Sequence, residues 1–199
     1  MKSSARVVVI GGGVAGVATL YHLAKKGWTD VVLVERKELT SGSTWHAAGL
    51  LPLFNMSYSV GQIHKYSVDF YQRLEKETGH SVGFRQVSNI RLAMSEDRLD
   101  EYRYYAGVAR TIGVDVRILS PDQVQTIWPL CRTDGLLGAI QHPDDGYIQP
   151  ADLTQALAAG ARSLGAEVYR HNAVTALAEL PGGGWSVTTD DGVIDCEHV

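Results

Sequence analysis

Gly11-Gly12-Gly13-Val14-Ala15-Gly16 stands between an apolar tetrad, Val7 to Ile10, and a stretch whose apolar residues Val14, Val17, Ala18, Tyr21, Leu23 and Ala24 recur at helical spacing. A GxGxxG spacing at a strand-to-helix turn is the mark of a dinucleotide-binding βαβ unit. Gly11 permits the tight turn, Gly13 lets the backbone approach a pyrophosphate, and Gly16 lets helix and strand pack closely. The helix start at Val14 and Ala15 offers amide donors and the positive end of the helix dipole to that pyrophosphate. The pattern predicts a strand over Arg6 to Ile10, a helix over Val14 to Lys26 ended by Gly27, and a strand over Val31 to Val34 that is apolar on both faces. Glu35 follows that strand, nineteen residues after Gly16. A carboxylate there accepts hydrogen bonds from ribose hydroxyls and repels the extra phosphate of NADP.

The same segment could be mistaken for a secretory signal, since Lys2 and Arg6 precede the run Val7 to Leu20. Its glycines interrupt the apolar stretch where a signal helix is continuous. No later stretch of about twenty apolar residues predicts a transmembrane span, so no membrane partner is expected. The chain of 199 residues is 45% hydrophobic and 20% charged, enough apolar material for a sizeable core. Its net charge of -4 comes with no basic stripe, which argues against nucleic acid as a partner. Cys131 and Cys196 form no CxxC pair, so neither zinc, a redox dithiol nor a disulfide scaffold is expected. That usage fits a reducing compartment: the cytoplasm, or the mitochondrial matrix in a eukaryote.

Further along, periodicity predicts helices over Gln62 to Thr78, Glu96 to Ile112 with Ser95 as N-cap, and Gln149 to Gly165 with Pro150 in its first turn. Ser120-Pro121-Asp122 is a further helix start. Strands are predicted over Phe84 to Met94, Val114 to Leu119, Glu167 to Arg170, Val174 to Leu180, Trp185 to Thr189 and Val193 to Val199, the last of these joined by Gly- and Asp-rich turns. The expected organisation is α/β: a doubly covered sheet in residues 1–83, an inserted α+β layer in 84–145, and a return to the first sheet in 146–199. The chain stops inside a predicted strand, so C-terminal truncation of a longer protein is expected.

Thr40 to Leu50 concentrates glycine and small hydroxyl residues directly after the ribose-binding strand, where a cofactor chain can run along exposed backbone amides. From the residues alone this is a polar loop with one imidazole and one indole, and His46 reads as an ordinary loop histidine. The run Ser41-Gly42-Ser43-Thr44-Trp45-His46-Ala47-Ala48-Gly49-Leu50, however, resembles the flavin-attachment segment of the dimethylglycine and sarcosine dehydrogenases, within the D-amino-acid-oxidase-like flavoenzymes. Glu35-Arg36 and Asp144-Asp145-Gly146-Tyr147-Ile148-Gln149-Pro150-Ala151 are similar to that family as well.

The resemblance implies a Rossmann-like FAD-binding domain carrying part of a substrate domain in residues 84–145. It implies FAD bonded through its 8α carbon to His46, with Val14, Ala15, Glu35, Arg36, Gly42, Ser43, Thr44, Trp45, Ala47, Ala48, Gly49, Leu50 and the backbone of Val174 in contact with the cofactor. It further implies oxidative demethylation of an N-methylated amino acid such as dimethylglycine or sarcosine by hydride transfer to flavin N5. Electrons would pass to an electron-transfer flavoprotein or to oxygen, and a folate would bind in a C-terminal region not present here. Alternatives are a glycine-oxidase-like enzyme with noncovalent FAD and a noncatalytic FAD-holding subunit. No catalytic base is assigned and no metal is expected: His142-Pro143-Asp144-Asp145 lacks zinc-ligand spacing and reads as a turn. Tyr102, Tyr104 and Tyr105 are expected to pack a helix on a sheet, and Trp128-Pro129 to form a packed corner.

Overall fold

A computed structural model describes residues 1–199. In chain order its elements are β1 (Ser4–Ile10), α1 (Val14–Lys25), β2 (Val31–Val34), a 3-10 turn (Ser43–His46), β3 (Leu50–Leu51), α2 (Tyr58–Thr78), β4 (Arg85–Gln86), β5 (Asn89–Ala93), α3 (Glu96–Ile112), β6 (Arg117–Leu119), α4 (Pro121–Ile127), β7 (Gly138–His142), β8 (Gly146–Tyr147), α5 (Pro150–Ser163), β9 (Glu167–Tyr169), β10 (Val174–Glu179), β11 (Trp185–Thr189) and β12 (Gly192–His198). They fall into two compact units, one of residues 1–49, 73–83 and 149–199, the other of residues 50–72 and 84–148.

The first unit is built on a six-stranded sheet in the order β10-β11-β12-β1-β2-β9. β12, β1, β2 and β9 run parallel, while β10 and β11 add an antiparallel edge. All four residues of β2 are buried, as its apolar sequence on both faces requires. α1 and α5 pack closely on one another, and Gly160 makes that approach possible: a Cβ there would lie 2.7 Å from the Tyr21 ring and 2.8 Å from Thr78 Cγ2. Tyr21 is held in turn by its hydroxyl, which donates to Glu77 at 2.9 Å.

The second unit holds two three-stranded sheets, β3-β8-β4 and β5-β7-β6. Leu53, Val68, Leu99, Tyr102, Tyr105, Ala109, Ile112 and Ile140 form its buried core, which is why residues 50–72, expected with the nucleotide-binding sheet, belong to this unit. Tyr102 and Tyr105 are buried as expected, whereas Tyr104 faces solvent. α3 matches its expected limits, with Ser95 Oγ accepting from the Arg98 amide, and α4 opens on a capping box between Ser120 and Gln123.

One strand expectation needs correction, and one central strand has no counterpart among the expectations. Phe84 to Met94 is not one strand but two in different sheets, broken where Ser88 takes φ 69° and the Val87 and Ser88 amides both donate to the Asp145 carbonyl. β7, at the centre of its sheet and wholly buried, was not foreseen, because Gly138-Ala139-Ile140-Gln141-His142 carries neither an alternating pattern nor a β-branched run. The expected turn at Pro143 and Asp144 does follow it.

β7 and its turn carry a histidine and a carboxylate into the core. Burial holds His142 down to a pKa of about 4, helped by the Arg91 charge, and raises Asp145 to about 6. A histidine with a depressed folded pKa loses its stabilising contribution as pH falls below its usual 6.5 toward 4. An aspartate with a raised folded pKa contributes most below its usual 3.8 and loses that contribution as pH rises through about 6. The two slopes oppose each other in that window. Relative to wild type, His142→Phe is therefore expected to lose stability with rising pH between about 4 and 6, and Asp145→Asn to gain it, each by a few kcal/mol at most. Urea unfolding at half-unit pH steps reads the sign; parallel curves for the three proteins would contradict it.

Candidate functional site

The carboxyl ends of β1 and β2 and the turn between β1 and α1 form the floor of a cleft, the position where open α/β sheets bind ligands. Gly11 turns the chain with φ 107°, which only glycine adopts without strain. Gly16 brings α1 onto that turn so closely that a Cβ would stand 2.1 Å from the Gly11 carbonyl oxygen. Gly12, formally a free position in the motif, is equally constrained: its Cβ would meet Leu39 Cδ2 at 2.6 Å and Glu35 Cγ at 2.9 Å. Its signal in the sequence is the middle glycine of the run Gly11-Gly12-Gly13, where the motif demands only the first and the third.

The chain after β2 folds back over this turn. The Thr40 amide donates to the Gly12 carbonyl at 3.0 Å, with Thr40 itself at φ 72°. Thr44 is buried, and its hydroxyl accepts from the Val14 amide at 2.9 Å, tying the polar loop to the first turn of α1. α1 has no acidic residue in that turn and no side-chain cap on Gly13, which leaves its positive end suited to an anion. Glu35 sits at the centre. One carboxylate oxygen accepts from the Gly12 amide at 2.6 Å and the other from the Lys37 amide at 2.8 Å. Its backbone is fixed too, the amide donating to the Tyr169 carbonyl and the carbonyl accepting from the buried Asn172.

Two adjoining cavities open above this framework. One, of about 430 Å³, is lined by the expected residues Gly13, Val14, Ala15, Glu35, Arg36, Gly42, Ser43, Thr44 and Ala47 together with Ser41. The other, of about 370 Å³, is lined by Gly11, Glu35, Arg36 and Val174, with Ile10, Val34 and Ala173 not foreseen. Glu35 and Arg36 belong to both, so the cavities form one elongated trough from the helix N-terminus to β10. Amides at a helix N-terminus and a carboxylate between the two cavities are the donor and acceptor set that suits a pyrophosphate and a ribose.

The remaining expected residues stand apart from these walls. Gly16 acts in packing. Trp45 is 71% exposed with its ring edge-on to the exposed His46, their centroids 6.2 Å apart. Ala48 is exposed and Gly49 turns with φ 74°. Leu50 opens β3 in the second unit, where it lines a separate cavity with His64, Ser67 and Tyr71. His64 donates from Nδ1 to the Pro52 carbonyl at 3.0 Å, since a carbonyl can only accept. No helix is long and apolar enough to cross a membrane, and no cluster of three His, Cys, Asp or Glu could hold a metal ion.

A glycine turn bound to a carboxylate at the end of the second strand, beneath a hydroxyl-rich loop, defines a nucleotide-cofactor-binding α/β protein. The family model described as FAD dependent oxidoreductase matches residues 6–199, and the chain belongs to that family. It is 42% identical over 198 residues to the mitochondrial dimethylglycine dehydrogenase of Rattus norvegicus, covering 100% of this chain and 23% of that protein. It is 40% identical over 192 residues to the mitochondrial sarcosine dehydrogenase of Homo sapiens, covering 96% of this chain and 20% of that one. The chain thus spans about a quarter or less of the length of these relatives. Among solved structures, glycine oxidase from Bacillus cereus superposes with a TM-score of 0.82 at 27% identity, covering 98% of this chain and 53% of its own.

Because Glu35 bonds two backbone amides, it supports the turn as well as any ligand. Glu35→Ala is expected to lower the stability of the cofactor-free protein by about 1–2 kcal/mol, since two amides lose their acceptor on a half-buried site. Glu35→Gln, which keeps one acceptor oxygen, is expected to lose less. Urea midpoints of the apo-proteins test this, and an unchanged Glu35→Ala midpoint would confine the residue to ligand binding.

Proposed function

We propose that this chain is the FAD-holding portion of a flavoenzyme that oxidises the N-methyl group of an N-methylated amino acid such as dimethylglycine or sarcosine. The observation that carries the reading is the loop from Thr40 to Gly49, folded by Thr44 onto the first turn of α1 so that loop and glycine turn line one trough. Identity above 40% to a protein named dimethylglycine dehydrogenase supports the substrate class. When bound, FAD supplies a two-electron acceptor for a C–H bond beside nitrogen.

This chain's own residues bind and orient that group. The α1 amides beyond Val14, whose own amide donates to Thr44, and the loop hydroxyls of Ser41 and Ser43 would hold the pyrophosphate. Glu35 retains lone pairs beyond its two amide bonds and takes the ribose hydroxyls, Arg36 flanks it, and the Val174 backbone meets the adenine. His46, at the end of the 3-10 turn and accessible, is the point of covalent attachment. Electrons leave to an electron-transfer flavoprotein or to oxygen, and the groups that contact substrate are contributed in part by sequence outside these residues. In a eukaryotic cell the matrix is the expected compartment.

The fold likeness to glycine oxidase favours one second reading, an amino-acid oxidase with noncovalent FAD. Covalency separates the two. Acid precipitation of the flavin-loaded protein is expected to leave yellow flavin on a peptide containing His46, and His46→Ala to release it; free FAD in the wild-type supernatant would favour the second reading. Dye reduction by the flavin-loaded protein with dimethylglycine, sarcosine and glycine then tests the substrate class, for which turnover of glycine alone is the contrary result.

A further inference from the structure

The second unit encloses a group of polar side-chain atoms that make no bond to protein: Asn89 Oδ1, Arg91 Nε, both ring nitrogens of His142, and Asp145 Oδ2. His142 is 0% exposed and Asp145 1%. The strand register places Asn89 directly opposite His142, and Arg91, two residues on, shares that face of the sheet. The Arg91 guanidinium lies 4.4 Å over the Phe54 ring, whose centroid is 5.9 Å from that of His142, and the Tyr105 ring is 5.6 Å from His142 on the same side. The charge of Arg91 acts on both His142 and Asp145. Asn89, Arg91 and His142 thus share one face of the β5–β7 pair beside these aromatic rings, and Asp145 follows in the turn after β7.

Buried polar atoms in native interiors are nearly always hydrogen-bonded, so the chemistry of these five atoms defines their partner. A metal cation fits poorly, since only His142 and Asp145 are ligand types and a guanidinium stands beside them. An anion fits poorly as well, because Asn89 Oδ1 and Asp145 Oδ2 would turn lone pairs toward it. The set mixes donors with acceptors: Arg91 Nε and one imidazole nitrogen donate, while the other imidazole nitrogen, the amide oxygen and the carboxylate oxygen accept. Water offers both, and beside side chains as enclosed as His142 and Asp145 it is the smallest ligand that does.

We propose that Asn89, Arg91, His142 and Asp145 form an internal water-binding site holding about two water molecules, each making the three or so bonds usual for buried water. The second oxygen of Asp145 accepts from the Leu53 amide at 2.9 Å, and its carbonyl accepts from Val87 and Ser88. The waters therefore complete a junction that ties together the segment before α2, the break between β4 and β5, and the turn after β7. The inference concerns the second unit and stands independently of the flavin reading.

The test uses the flavin-loaded protein. A high-resolution crystal structure is expected to show ordered water within hydrogen-bond distance of Asp145 Oδ2 and a His142 ring nitrogen, and rotating-frame NMR transfer from long-lived water to the His142 ring is expected in solution. A direct Asp145–His142 hydrogen bond without water, or no such transfer, would overturn the proposal. As a variant test, Asp145→Leu alone strands the remaining polar atoms and is expected to reduce the folding equilibrium constant by about 10- to 100-fold. The pair Asp145→Leu with His142→Leu is expected to recover part of that loss while abolishing the water signal. Persistence of the signal in a folded pair variant would count against these residues as the water's holders, and the wild-type measurements decide the matter should a variant not fold.

Discussion

The contact between the Gly12 amide and the Glu35 carboxylate joins two stretches of chain that every other part of the cofactor trough relies on. It can form only because Gly12 has no Cβ: one more carbon would collide with Glu35 Cγ and with Leu39. Once it forms, the end of β2 is fixed against the turn after β1, and the chain beyond must cross back over the glycines. The Thr40 amide on the Gly12 carbonyl and the Thr44 hydroxyl on the Val14 amide are consequences of that crossing. The positive φ of Thr40 is the local strain accepted at the bend. The floor of the trough and the hydroxyl-rich loop above it are in this way one folded object.

The two units manage buried polarity differently. In the first, the more enclosed polar side chains beside the trough are bonded to backbone: Glu35 to Gly12 and Lys37, Thr44 to Val14, and Asn172 to the Asp191 amide. That rigidity suits a site that must present amides to a charged ligand without reorganising. In the second, His142 is carried into the core by the wholly buried β7 and Asp145 by the turn after it, and both are left with atoms that no protein group reaches. The opposed shifts of the two groups, one toward neutrality of the base and one toward neutrality of the acid, share a single cause in burial.

The amino-acid sequence by itself determined the βαβ start, the helix limits at Glu96 to Ile112, the strands Val31 to Val34 and Trp185 to Thr189, and the family that the hydroxyl-rich loop resembles. These features depend on neighbours within a few residues: periodicity, a capping serine, glycine spacing. The same is true of most of the trough, because Gly13, Val14, Ala15, Glu35, Arg36 and the hydroxyl loop are local to one βαβ unit and its exit. Tertiary structure alone decided the rest. Whether Gly12 was free depended on Leu39, whether residues 50–72 joined the first sheet or the second core depended on Leu53 and Val68 meeting α3, and the break at Val87 and Ser88 depended on a carbonyl more than fifty residues away. β7 escaped notice because a strand buried on both faces needs no alternation and here has few β-branched residues to announce it. The physical reason is the same throughout: local pattern sets what a segment can form, while packing against distant chain decides which of its polar and apolar atoms are buried, and so where the chemistry lies.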